Sequence, residues 1–198
     1  MGNIAPELQS YVLAQVQRPR LVILDTMSHW IENERPALMR LLAQVNIVTV
    51  NDDEARLISG EHNLVRAGRA ILKMGPHIVL VKRGEYGVIQ FSRVALFALP
   101  AYPLEEVIDP SGAGDTFAGG FLGFLARSGD IGEPSLRNAV VHASVLASFV
   151  VERFAMERLI SLTPTEIETR YRAFIELTDS RAEEGRFSQS DLLKLGME

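Results

Sequence analysis

The chain has 198 residues, of which 47% are hydrophobic and 23% charged, and its formal net charge is −5 at neutral pH. This composition is typical of one soluble globular domain. The negative charge argues against nucleic acids or anionic membranes as partners. The chain has no cysteine, which excludes disulfides, thiolate metal sites and a thiol nucleophile. Because no signal peptide or membrane-spanning stretch is visible, we expect a cytoplasmic protein.

Short apolar runs alternate along the chain with segments of helical spacing. The runs are apolar on both faces, which predicts buried parallel strands at residues 21–24, 47–50 and 78–81. Between them, residues 36–44 and 64–74 have the spacing of amphipathic helices. This alternation predicts a three-layer α/β/α domain with a mainly parallel sheet.

The second half of the chain adds a hairpin and further helices. Residues 88–91 and 95–99 are predicted to pair as a hairpin, and residues 135–152 form a long apolar helix. Thr163 and Glu166 have the spacing of a capping box, which predicts a helix from there to about Leu177. We therefore assign residues 1–177 to one α/β domain and residues 178–198 to a polar tail.

Polar side chains follow the predicted strands where each strand ends. Asp25, Asn51 and Lys82 each stand at such a carboxyl end, and Asp109 follows another apolar run that we interpret as a strand. Ligands of open α/β sheets bind at these ends. The sequence therefore predicts a single site at this edge of the sheet.

The most informative segment spans residues 107–121, in which a glycine turn opens a helix. Gly112-Ala113-Gly114 is followed by Asp115 in the first helical turn. Glycines let the backbone approach a ligand, and the first amides of a helix, with the helix dipole, favour an anion. A carboxylate beside an anion site suggests phosphoryl transfer to a hydroxyl.

Other interpretations of these residues remain open at this point. The chain has no G-x-x-x-x-G-K-[ST] loop, and the G-x-G-x-x-G fingerprint fails because Phe117 stands at the third glycine position. Asp115 could simply cap a core helix, and Asn51 and Glu54 could form an ordinary helix start. Lys82 could be a solvated strand end. A histidine inside an apolar helix, His142, could be a hydrogen-bonded core residue.

Residues 109–117, DPSGAGDTF, closely resemble the C-terminal signature of the ribokinase-like (PfkB) carbohydrate kinase family. The resemblance implies a ribokinase-like fold in which Gly112, Ala113 and Gly114 form the anion hole for the transferred phosphoryl group. It also implies that Asp115 is the base that accepts the proton of the substrate hydroxyl. Asp109 and Ser111 fall where many members bind a monovalent activating cation such as K⁺.

Two upstream segments and one downstream segment extend this resemblance. Asn51 and Glu54 match the N-x-x-E element that helps to position Mg²⁺ and the nucleotide phosphates. Lys82, Gly84 and Gly87 lie in a segment similar to the strand and glycine turn beside the triphosphate and adenine of ATP. Residues 138–149 resemble the helix that walls the adenine pocket, which brings His142 to the nucleotide.

The resemblance covers residues from about 21 to about 149 and begins midway through the family's fold. Members start with strands, a lid and a Gly-Gly sugar-binding motif that should precede anything in this chain. We therefore expect an ATP-dependent kinase acting on an alcohol of a sugar or nucleoside, with most sugar-binding residues missing. The alternatives are a nucleotide-binding module without turnover and a partner-binding remnant. An uncovered sheet edge predicts a homo-oligomer or a need for the missing N-terminal segment.

Overall fold

Five strands form one sheet, in the order β1-β2-β3-β4-β5, in a computed structural model that describes residues 4–179. The strands are β1 (Ile23–Asp25), β2 (Ile47–Asn51), β3 (Ile78–Lys82), β4 (Val88–Ser92) and β5 (Leu96–Leu99). The first three strands pair in parallel, whereas β4 and β5 pair antiparallel as the predicted hairpin. The α/β fold is thus confirmed, and its sheet is mixed because the hairpin reverses direction.

Nine helices are found within residues 4–179. They are α1 (Pro6–Gln15), α2 (Ser28–Asn33), α3 (Arg35–Leu42), α4 (Asp52–Ser59), α5 (Leu64–Leu72), α6 (Ala113–Ser128), α7 (Glu133–Val150), α8 (Glu157–Ile160) and α9 (Pro164–Thr178). The predicted capping box at the start of α9 is present, with Thr163 and Glu166 as its two members. None of these helices is long and apolar enough to cross a bilayer. Residues 180–198, most of the predicted tail, lie outside the described part of the chain.

The sheet separates two hydrophobic cores because successive residues of a strand point to opposite faces. Leu24, Val48 and Val79 pack on one face with apolar side chains of α3, α4 and α5. Ile47 and Leu80 pack on the other face with α6, α7 and α9. The predicted three-layer α/β/α arrangement is therefore confirmed.

The three parallel strands end at the same edge of the sheet. Asp25 is in register with Thr49 of β2, and Asn51 is in register with Lys82 of β3. This register places three polar side chains at one edge, as the sequence predicts. The edge faces the start of α6, because Lys82 reaches its first turn.

A charged cluster joins α9 to the end of α7. Arg170 forms an ion pair with Glu152 and donates a hydrogen bond of 3.0 Å to the Ser148 hydroxyl. Its guanidinium carbon also lies 3.5 Å from the centroid of the Phe149 ring. Arg158 pairs with the same Glu152 at 3.1 Å. The Arg170 side chain is only 16% exposed, so this ion pair is partly shielded from water. Loss of Arg170 would leave the negative charge of Glu152 with one cationic partner, Arg158, instead of two.

We expect Arg170→Met to lower the free energy of unfolding by about 2 kcal/mol, less than for a fully buried pair because Glu152 keeps Arg158. Urea denaturation followed by circular dichroism would measure the change. The matched control is Arg172→Met on the same helix. Arg172 pairs with Glu168 but is 78% exposed, so its loss should leave the denaturation midpoint nearly unchanged. Equal midpoints for the two variants would contradict the assigned role of Arg170.

Candidate active site

Helix α6 begins at a glycine turn. Gly112, just before its first residue, has a φ of +81°, which glycine adopts without steric cost. The Ala113 amide donates to the Pro110 carbonyl at 3.3 Å, whereas the amides of Gly114 and Asp115 have no hydrogen-bond partner within residues 4–179. The Asp115 side chain is exposed beside them and makes no capping bond there. The turn can therefore bind an anion next to an accessible carboxylate.

Lys82 connects the sheet edge to this turn. Its Nζ lies 3.2 and 3.3 Å from the two carboxylate oxygens of Asp25. A Cβ atom added to Gly114 would lie 3.1 Å from the same Nζ, so the ammonium sits against the first turn of α6. Lys82 is thus a partly buried, paired cation, and the interpretation of it as a solvated strand end is wrong.

Asn51 and Glu54 form a capping box at the start of α4. The Asn51 side chain accepts a hydrogen bond of 2.8 Å from the Glu54 amide, and the Glu54 carboxylate accepts one of 2.8 Å from the Asn51 amide. Burial raises the pKa of the Glu54 carboxyl, although the Asn51 hydrogen bond and the Lys82 charge oppose the shift. The helix-start interpretation is therefore confirmed. The predicted part in nucleotide and metal binding is compatible with it and stays a prediction.

Gly84 and Gly87 bound a short 3₁₀ turn after β3. Gly87 has a φ of +84°, and a Cβ atom there would lie 2.1 Å from the Leu99 carbonyl oxygen. The Arg83 amide closes the turn by donating to the Gly87 carbonyl at 2.7 Å. Gly87 is thus required by the close approach of the hairpin. A role for these glycines beside ATP remains a prediction.

Asp109 braces the signature loop against the segment after α7. Its Oδ1 accepts a hydrogen bond of 2.9 Å from the Ser111 amide, and its Oδ2 accepts one of 3.1 Å from the Ala155 amide. These bonds, chiefly that from Ser111, hold the pKa of Asp109 below its usual value. The Asp109 amide also donates to the Val151 carbonyl at 3.3 Å. The expectation that Asp109 follows a strand is wrong, because residues 100–112 contain none.

A cleft of about 700 Å³ runs along the outer side of α6 from the signature turn. Ser111, Gly112 and Asp115 of the signature turn line it. Glycines on α6 face side chains of α7 and α8 across it, and these lining residues include Gly119, Gly120, Gly123, His142, Leu146 and Leu159. Absent side chains on α6 therefore make the room for this mostly apolar space.

His142 lies in this cleft between two aromatic rings. Its ring centroid is 5.5 Å from that of Phe124 and 6.0 Å from that of Tyr171. Burial lowers the pKa of His142, which favours the neutral imidazole. Its Nδ1 is buried and has no partner among the described residues. The interpretation of His142 as a hydrogen-bonded core residue is therefore wrong, and its predicted contact with adenine remains untested.

The predicted residues fall into two groups around the start of α6. Lys82 and Gly114 meet on the sheet side, close to Asn51, whereas Asp115, Ser111 and His142 share the cleft. Gly84 and Gly87 do not line the cleft.

The sequence analysis located Asp25 at the edge but did not predict that it pairs with Lys82. It gave no role to Thr49, whose hydroxyl donates to Asp25 at 2.7 Å. The apolar residues around Thr49 could have shown only that it is buried.

No cluster of three or more His, Cys, Asp or Glu side chains able to hold a metal occurs in residues 4–179. A divalent cation at this site would need most of its ligands from bound phosphates and water. Mg²⁺ is usually bound in that way, through one or two carboxylates and substrate phosphates. The residues present therefore fit an indirect role of Glu54 in Mg²⁺ binding.

Comparison with known proteins gives a consistent assignment. The profile of the pfkB family carbohydrate kinases matches residues 12–159. The cytidine kinase of Thermococcus kodakarensis is 33% identical over 131 residues, which cover 64% of this chain and 47% of that protein.

Solved structures agree with this match. The aminoimidazole riboside kinase of Salmonella enterica, complexed with aminoimidazole riboside and an ATP analogue, is 25% identical with a TM-score of 0.68, covering 76% of this chain and 52% of that one. A candidate ribokinase II of E. coli, solved with ATP and Mg²⁺, is 27% identical with a TM-score of 0.65, covering 77% and 49%. The chain thus spans about half the length of these relatives.

Proposed function

Because this chain belongs to the pfkB family of carbohydrate kinases, we propose that it carries the phosphate-binding half of an ATP-dependent kinase. In this proposal the γ-phosphoryl group of ATP binds at the first turn of α6 and is transferred to an alcohol of a sugar or nucleoside. The observation that carries it is the pair of partnerless amides, at Gly114 and Asp115, next to the exposed Asp115 carboxylate. We place the protein in the cytoplasm, where ATP is available.

The chemistry follows from the charges at this turn. The transferred phosphoryl group is negatively charged, so the partnerless amides of Gly114 and Asp115 and the helix dipole would stabilise it in the transition state. Asp115 would orient the acceptor hydroxyl and take its proton. A carboxylate is a weak base for an alcohol, but the acidity of the hydroxyl rises as its bond to phosphorus forms. Mg²⁺, when bound with ATP, would neutralise phosphate charge.

Asn51 and Glu54 would support the phosphates from the sheet side, and Asp109 and Ser111 would hold a monovalent cation such as K⁺. Each carboxylate oxygen of Asp109 already accepts one backbone hydrogen bond, which leaves fewer lone pairs to coordinate K⁺. Lys82, Gly84 and Gly87 would border the nucleotide on the side of β3. His142 would contact adenine from the cleft.

Calorimetric titration tests the binding half of this proposal. MgATP should bind the chain with a stoichiometry of about one, and adenosine should bind more weakly because the α6 amides recognise phosphate. Equal affinities for ATP and adenosine, or no binding of either, would contradict it.

A nucleotide-binding module without turnover is the second candidate, favoured by the match to only half of each relative. It would bind MgATP equally well but release no ADP.

Replacement of Glu54 tests the predicted role in Mg²⁺ binding. Glu54→Gln keeps the oxygen that accepts from the Asn51 amide, so α4 should still fold. We expect this variant to require roughly tenfold more Mg²⁺ for half-maximal ATP binding, since it lacks the charge of an acidic group near the metal. Calorimetry over a Mg²⁺ series would measure this requirement. Unchanged Mg²⁺ dependence in the folded variant would show that Glu54 only caps the helix.

A further inference from the structure

The Lys82 ammonium lies between the Asp25 carboxylate and Gly114. On one side, Nζ lies 3.2 and 3.3 Å from the two oxygens of Asp25. On the other side it lies where a side chain on Gly114 would begin, 3.1 Å from an added Cβ. Lys82 and Asp25 are only 20% and 17% exposed. The pair is therefore a shielded contact between the sheet edge and the signature turn.

Asp25 is itself fixed by two further donors. The Thr49 hydroxyl donates to its Oδ1 at 2.7 Å, and the Thr26 amide donates to the same oxygen at 3.2 Å. Thr49 is completely buried, so its hydroxyl cannot turn to solvent. A carboxylate held in this way fixes the ammonium rather than following it. The end of β1 thus determines where the Lys82 charge lies.

We propose that Asp25 is a positioning residue that holds the Lys82 ammonium at the first turn of α6, where Lys82 contacts the phosphate oxygens of ATP. An ammonium has three donor hydrogens, and a single carboxylate leaves donor capacity for a second anion. Gly114 lacks a side chain, in this view, because the ammonium needs that space. The inference rests on the proposed function but adds two roles to it.

A double-mutant cycle separates this role from a purely structural ion pair. Calorimetry would compare ATP and adenosine binding by the native chain, Lys82→Met, Asp25→Asn and the double variant. Each single change should weaken ATP binding about tenfold, and Asp25→Asn should add little once Lys82 is gone. Adenosine binding should change in none of them. Glu7→Gln is the control, because it removes a carboxylate that is 76% exposed and pairs with Arg40, away from the sheet edge.

The outcomes distinguish this inference from the proposed function. If the native chain binds no ATP, the proposed function fails and the inference falls with it. If ATP binds but Asp25→Asn tightens binding, or weakens it equally in both backgrounds, only the inference is overturned. Should Asp25→Asn fail to fold, Thr49→Val provides the same cycle by removing the hydroxyl that fixes Asp25. An effect of Thr49→Val that persists without Lys82 would again overturn the inference.

Discussion

Replacing Asp115 with Asn is expected to lower turnover by about 10²–10⁴-fold, the usual contribution of a general base, with little change in ATP affinity. Asn matches the size of Asp and keeps the first turn of α6, so the amides of the anion site should be preserved. The measurement is ADP release in a coupled assay, alongside calorimetric ATP binding. A suitable enzyme is a fusion of this chain with the part of the Thermococcus kodakarensis cytidine kinase that lies outside the matched region, arranged in the order of that protein.

Turnover and ATP affinity are measured separately because together they distinguish a general base from a structural carboxylate. A carboxylate that only stabilised the fold would alter both quantities together, whereas a base alters turnover alone. The control is Glu176→Gln, which removes an exposed charge from α9 and should change neither quantity. Native-like turnover in Asp115→Asn would exclude Asp115 as the base.

The 198-residue polypeptide by itself is expected to bind MgATP or ADP weakly and to phosphorylate no sugar or nucleoside at a useful rate. Its relatives are matched over about half of their length. From the family resemblance we expect the residues that hold the sugar to lie outside the matched region. A coupled ADP-release assay over pentoses, hexoses and nucleosides would measure the rate. The fusion described above should show turnover in the same assay.

The same polypeptide is also expected to self-associate. β1 and β5 are the two edge strands of the sheet, and exposed edges tend to pair with other chains. Sedimentation velocity over a concentration series would show the association, and the fusion should reduce it by covering an edge. Robust turnover by a clean monomer of these 198 residues would refute both expectations.

The fold was predictable wherever local signals were strong and consistent. The apolar runs of β1, β2 and β3 could be buried only between two layers, so their parallel arrangement could be predicted from these runs and the helical segments between them. The capping box of α9 marked its first turn because Thr163 and Glu166 satisfy each other's backbone amides. Helix α1 was not predicted, since its apolar residues do not lie on one face.

The site was predicted less completely, because its geometry depends on contacts distant in sequence. Spacing placed Asp25 and Lys82 at the same edge, but only the fold shows that they pair across 57 positions. The error at Asp109 has a similar origin. The apolar residues before it indicate a strand, whereas backbone hydrogen bonds to the segment after α7 hold them in an irregular path. No local pattern predicts a loop that is shaped by a distant segment.

The bracing by Asp109 has a mechanical consequence. Its side chain and amide tie the turn that starts α6 to Val151 and Ala155, which lead into α8. Neighbours of Ala155, including Leu159, form one wall of the cleft. A shift of the turn that starts α6 would therefore be transmitted to the cleft wall through these hydrogen bonds. We therefore expect a ligand that moves the turn to change the shape of the cleft as well.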